Sequence, residues 1–156
     1  MPTPNRADDA LPPLAFADLA AGLQFAERPF AITEELVRAY ADLTGDDNPV
    51  YRVAEAAHAA GLSGPVMPPG LAGIWARRSY LARHRMLPGG VMAAQTLAFT
   101  AAVPVGEVLT LSASVAEHDP ADPKRRVLLD CRARRADGTE AGRVQIDARW
   151  PEGNQT

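Results

Sequence analysis

Cysteine occurs once in the 156 residues, as Cys131, so the chain can form no internal disulfide and offers no thiolate spacing for a metal. Histidine is almost as scarce. His58, His84 and His118 stand apart and read as surface side chains. No apolar run approaches the ~20 residues of a membrane helix, and Asp8 and Asp9 occupy the place where a signal peptide needs its apolar run. Charge of one sign is missing too: a net charge of −3 gives no global attraction to nucleic acid or an anionic membrane. These absences lead to the expectation of a soluble cytoplasmic protein with no nucleic-acid or membrane partner. What is present is 47% apolar content, ordinary for a globular domain with its own core.

Three segments are expected: a flexible arm (1–13), a single domain (14–151) and a short tail (152–156). The arm carries four prolines and two acids. Residues 25–32 read as a short strand, with Pro29 pointing to a sheet edge. Thr33 is a candidate N-cap, followed by Glu34 and Glu35 in a first helical turn. Leu36, Val37, Tyr40, Ala41 and Leu43 form the apolar stripe of that helix, and Gly45 is its candidate stop. A second short helix runs from Val53 to Gly61. A long helix is expected over residues 71–85, with Leu71, Ile74, Trp75 and Leu81 inward and Pro68 and Pro69 at its entrance.

Beyond Gly90 the period changes to two. Val91 to Phe99 is the first strand of this half. Leu109, Leu111, Ala113 and Val115 alternate with polar residues, as do Val127, Leu129, Cys131 and Ala133, and then Val144, Ile146, Ala148 and Trp150. Asp137-Gly138 signals a hairpin between the last two strands. A strand, then helices, then antiparallel strands is an α+β pattern.

Residues 40–71 read YADLTGDDNPVYRVAEAAHAAGLSGPVMPPGL. Gly45, Asp46, Asn48, Pro49 and Val50, followed by Gly64, Pro65 and Val66, resemble the signature of MaoC-like dehydratases and (R)-specific enoyl-CoA hydratases. That signature is Gly-Asp-x-Asn-Pro-aliphatic-His, followed by Pro-aliphatic-x-His-Gly. Residues 99–109 (FTAAVPVGEVL) are similar to a third family segment. The resemblance covers roughly residues 22–150. It implies a hot-dog fold, in which an antiparallel sheet wraps a long central helix, and sheets paired edge to edge in a homodimer or a heterodimer of hot-dog subunits.

Two positions depart from the family pattern. Tyr51 stands where the family has its catalytic His, and the family's His-Gly pair falls on Pro68 and Pro69 in an ungapped count. The resemblance implies a hydratase or dehydratase of 2-enoyl/3-hydroxyacyl thioesters, carried on coenzyme A or an acyl carrier, with no metal or redox cofactor. Adding water to an enoyl thioester needs a base for the water, an acid for the α-carbon and donors for the thioester oxygen. By the resemblance Asp46 is the base, Tyr51 orients water or substrate and Asn48 shapes the loop. Pro69 has no N–H to give the oxygen, and Gly70 at the helix start is the candidate donor. Tyr51 with the Pro-Pro loop also resembles non-catalytic hot-dog subunits that partner a catalytic chain. A hot-dog thioesterase is the third alternative. The arginines at 77, 78, 83 and 85 read first as a solvated helix end and second as a place for the phosphates of coenzyme A.

Overall fold

A computed structural model of the chain describes residues 10–151, so most of the expected arm and the tail lie outside the described residues. Five antiparallel strands build one sheet: β1 (Arg28–Ala31), β2 (Val91–Phe99), β3 (Val108–His118), β4 (Arg126–Arg134) and β5 (Glu140–Arg149). Their order across the sheet is β1-β3-β4-β5-β2, which leaves β1 and β2 as the edges. Pro29 sits on an edge, where its missing N–H costs no ladder bond on the open side. The hairpin between β4 and β5 turns at Gly138, whose φ of 87° is left-handed, while Asp137 Oδ1 accepts the Thr139 N–H at 2.9 Å.

Three helices precede the long strands: α1 (Glu34–Thr44), α2 (Ala54–Ala59) and α3 (Ala72–Tyr80). The sheet curves around α3, which packs against β3, β4 and β5. Leu71, Ala72, Trp75, Ala76 and Tyr80 turn inward, against Leu109, Leu111, Val115, Leu129, Val144 and Ile146 from the alternating strands. Each large side chain buried this way contributes about 1.5–3 kcal/mol. The expected period-two sets are therefore the inner face of the sheet, and the arrangement is the hot dog that the resemblance implies. On the outer face the charges pair, Arg126 with Asp147 at 2.9 Å and Arg143 with Asp130 at 2.5 Å, and beyond the strand ends Arg135 pairs with Glu107 at 2.9 Å. Among the described residues, no helix is long and apolar enough to cross a membrane.

The structure corrects several local expectations. The ladder of β1 is only four residues long: before it, Gln24 makes an isolated bridge to Ser114, and the Phe25 N–H donates to the Ala113 carbonyl. The helix expected over 71–85 ends at Tyr80. Its first residues form a 3-10 turn, Pro69–Leu71. The end has a cause, because the Arg85 backbone is used elsewhere. Its N–H donates to the Pro12 carbonyl at 3.0 Å, and its carbonyl accepts the Leu14 N–H at 3.1 Å. Trp150 fixes the same strap by donating Nε1–H to the Leu14 carbonyl at 2.8 Å. Leu43, expected in the core stripe, is 86% exposed because the last turn of α1 projects past the core. Ile74 is exposed as well, on the face of α3 that the sheet leaves open.

Cys131 is fully buried against Ser79, and burial pushes its thiol up to about 12, with the Ser79 hydrogen bond opposing and Asp130 adding a little. In the folded protein it stays a thiol, so a thiol-specific reagent should react only at the rate at which the chain opens, and at the free rate in denaturant. A thiol whose folded pKa is raised contributes stability that is complete below the unfolded value near ~8.5 and is lost as pH rises towards about 12. Cys131→Ala should flatten that alkaline loss in a pH series of melting temperatures.

Candidate active site

The site is built where α1 ends. Gly45 closes the helix in the left-handed region (φ 68°), and the N–H groups of Gly45 and Asp46 both turn back to the Ala41 carbonyl. The next turns are made by side chains. Asp46 Oδ1 accepts the Asn48 N–H at 3.2 Å, and Asn48 Oδ1 accepts the Val50 N–H at 3.1 Å. Asn48 thereby caps the 3-10 turn Pro49–Tyr51, with Pro49 at its first position, where no N–H is needed. These bonds fix the spacing that carries Asp46 and Tyr51 to the same place.

Tyr51 is half-buried. Burial, first, and then the charge of Asp46 and the neighbouring Tyr40 hold its phenol above the usual range, while a hydrogen bond with Asn48 pulls the other way. Tyr51 therefore remains protonated at neutral pH, as a hydrogen-bond donor and not a base. Tyr51 also lines a cavity of ≈ 200 Å³ with Glu34, Val37, Arg38, Arg52, Pro65 and Val105, whose walls include neither Asp46 nor Gly70.

The second half of the site is tied to the first through the backbone. The Val66 N–H donates to the Val50 carbonyl at 3.4 Å, the Met67 N–H to Val103 at 2.8 Å and the Val105 N–H to Pro65 at 2.9 Å. Residues 64–69 are thus held between the Asp46 loop and the segment leading to β3. Pro69 is exposed at the entrance to α3 and has no donor to offer. Gly70 follows it in the 3-10 turn, where the helical pattern supplies its N–H with no acceptor, and it donates to no other described residue.

Tyr40 is the residue that sequence reasoning missed. Its spacing puts it in the apolar stripe of α1, and its ring does pack on the core. Its hydroxyl, however, lies directly over Gly70, so close that a Cβ at that position would collide with it. Tyr40 thereby joins the two halves, with Asp46 and Tyr51 on one side and Gly70 on the other. No local signal marks this contact, since it depends on how α1 lies across the entrance to α3. Asp46, Asn48 and Tyr51 share one loop, Tyr40 links that loop to Gly70, and Pro69 adjoins Gly70 without a polar group to contribute.

Comparisons with known proteins bear on the family and the fold. The FAS1-like, dehydratase domain region matches residues 20–123, two thirds of the chain. The (R)-hydratase PhaJ1 from Pseudomonas aeruginosa, in its unliganded form, is 27% identical over 88% of this chain and 86% of its own, with a TM-score of 0.72. At 20–22% identity two further structures share the fold. A MaoC-like dehydratase from Rhodospirillum rubrum is 20% identical, covering 88% of this chain and 97% of that one, with a TM-score of 0.67. The C-terminally truncated HadBC (3R-hydroxyacyl-ACP dehydratase) complex from Mycobacterium tuberculosis is 22% identical, covering 82% and 95%, with a TM-score of 0.72. None of the curated proteins compared matches significantly. The chain belongs to the FAS1-like dehydratase domain family, within the hot-dog fold it shares with the (R)-hydratases.

Proposed function

We propose that this chain hydrates 2-enoyl thioesters, or dehydrates 3-hydroxyacyl thioesters, with Asp46 as the base. The observation that carries the reading is the convergence of Asp46, Tyr51 and Tyr40 with the unengaged Gly70 N–H at the entrance to α3. In hydration the Asp46 carboxylate takes a proton from water as the water oxygen bonds to the β-carbon. The electrons of the double bond move onto the thioester oxygen, where the Gly70 N–H stabilises the charge. Asp46 then returns that proton to the α-carbon, which completes the addition of water and restores the carboxylate. Tyr51, held as a phenol, donates to the water or the substrate and takes no proton itself. It occupies the family's His position, which leaves Asp46 as the sole base.

The cavity beside Tyr51, at ≈ 200 Å³, is smaller than a usual ligand pocket of about 300–1,000 Å³. A second subunit would complete it. β2 supports that reading: it is a nine-residue edge strand exposed on both faces, with Val91, Met92, Leu97 and Phe99 open to solvent. A long apolar edge of this kind invites pairing with another strand. We expect Leu97→Lys combined with Phe99→Lys to convert a dimer to a monomer in sedimentation. An unchanged dimer would remove β2 from the interface.

A specific observation favours a second reading, an acyl-binding subunit that partners a catalytic hot dog. With a protonated phenol in place of His and proline in place of the family's Gly, both halves of the site are altered. The HadBC relative is itself described as a complex. Thioesters of CoA test the assignment through their products. A hydratase consumes the double bond and leaves CoA esterified, whereas release of free thiol would assign the site to thioester hydrolysis instead.

A further inference from the structure

Among the described residues Arg52 of the site loop and Arg126, Arg132, Arg134, Arg135, Arg143 and Arg149 on or beside the sheet hold acids in ion pairs. A second group does not. Arg28, Arg77, Arg78 and Arg85, with His84, line a cleft of ≈ 750 Å³ over the face of α3 that the sheet leaves open, and among the described residues no Asp or Glu lines it. Among the described residues none of these arginines forms an ion pair, and Arg28 donates only to the Arg78 carbonyl, at 3.3 Å. Three buried nitrogens of the same side chains, Arg28 Nε, His84 Nδ1 and Arg85 Nε, have no hydrogen-bond partner among the described residues. Four cations around one cleft repel one another, and among the described residues no acid answers them. In a chain of net charge −3 that concentration calls for an external anion.

The position of the cleft narrows the choice of anion. Gly73 and Ile74, on its wall, come one turn after Gly70, and Arg77 and Arg78 lie about 11 Å from Gly70 along the helix axis. One helix therefore has the proposed oxyanion donor at its start and the arginines at its end. Ile74, Leu81 and Met86 give the cleft an apolar wall between them. We infer that this cleft binds the phosphate-bearing end of a pantetheine thioester, the guanidinium groups holding the phosphates while the pantetheine arm runs along α3 to Gly70. Guanidinium suits this task because its planar fork meets two phosphate oxygens at once. The inference rests on the thioester reading of the site and names the handle by which that substrate is held. The phosphate comes either from coenzyme A or from the phosphopantetheine of a carrier protein.

Calorimetric titration of the full chain with CoA, phosphopantetheine and pantetheine tests this without any turnover. A chain that fails to hydrate enoyl thioesters can therefore still pass here, and a hydratase can fail. CoA should bind on the order of tenfold or more tighter than pantetheine, with an affinity that falls as salt is added. Phosphopantetheine matching CoA would assign the handle to a single phosphate, as on a carrier protein; CoA well above it would assign it to the nucleotide. Arg77→Gln with Arg78→Gln, both exposed, should lower CoA affinity about tenfold or more while pantetheine binding and the melting temperature hold. Equal binding of CoA and pantetheine, or an undiminished CoA affinity in the double variant, would overturn the inference. So would a single-stranded oligonucleotide binding more tightly than CoA.

Discussion

Asp46→Asn should lower kcat for water addition to an enoyl thioester about 10²- to 10⁴-fold while leaving the fold and thioester binding in place. Asparagine keeps the oxygen that accepts the Asn48 N–H, so the turn after α1 survives, and only the capacity to take a proton is lost. Tyr51 cannot substitute, since burial and the adjacent carboxylate keep its proton on. The substitution itself removes one cause of that upward shift, the Asp46 charge. The phenol of Tyr51 should then titrate at lower pH in Asp46→Asn than in the native chain, a change visible in ultraviolet difference spectra. Both effects follow from one placement, so a loss of activity without the spectral shift would locate Asp46 away from Tyr51. Full activity in the variant would remove Asp46 as the base.

Gly70→Ala is the second substitution with a large expected effect. The added methyl meets the Tyr40 hydroxyl and comes within 2.9 Å of its ring carbon Cζ, tighter than packed atoms tolerate. Overpacking of this kind costs about 1–3 kcal/mol unless the neighbour moves. If Tyr40 gives way, the two halves of the site part; if it stays, the turn carrying the Gly70 N–H is displaced. Either movement should lower kcat at least about tenfold, because an oxyanion donor works only when aimed. Tyr40→Leu made together with Gly70→Ala removes the collision and should recover melting temperature relative to Gly70→Ala alone. No recovery would mean that the glycine is required for a reason other than Tyr40.

The strands that build the core could be read directly, because each exposes one face and so alternates. Val127, Leu129, Cys131 and Ala133 are buried as their spacing requires, and the Asp137-Gly138 turn lies where the pattern places it. The caps of α1 were equally legible: Thr33 Oγ1 accepts the Leu36 N–H, and Gly45 ends the helix in the left-handed region. Failure came where distant segments decide. Helical spacing continues past Tyr80, but the Arg85 backbone is committed to residues 12–14, and nothing local reports that strap. Ile74 fits an apolar stripe yet lies in the open cleft, because the sheet reaches only part of the way round α3. The same limit applies to the site. The Asx turns around Asp46 and Asn48 are local and were recognisable. The meeting of Tyr40 with Gly70, thirty residues apart, comes only from the folded chain.

The most direct measurement is the absorbance of the enoyl-thioester chromophore when the purified chain alone is given trans-2-enoyl-CoAs of graded chain length. The absorbance should fall catalytically for at least one chain length, with a 3-hydroxyacyl-CoA as product and no free thiol. Tight binding of the same thioesters with no fall in absorbance, at any length, would contradict it and mark the chain as the acyl-binding partner of another hot dog.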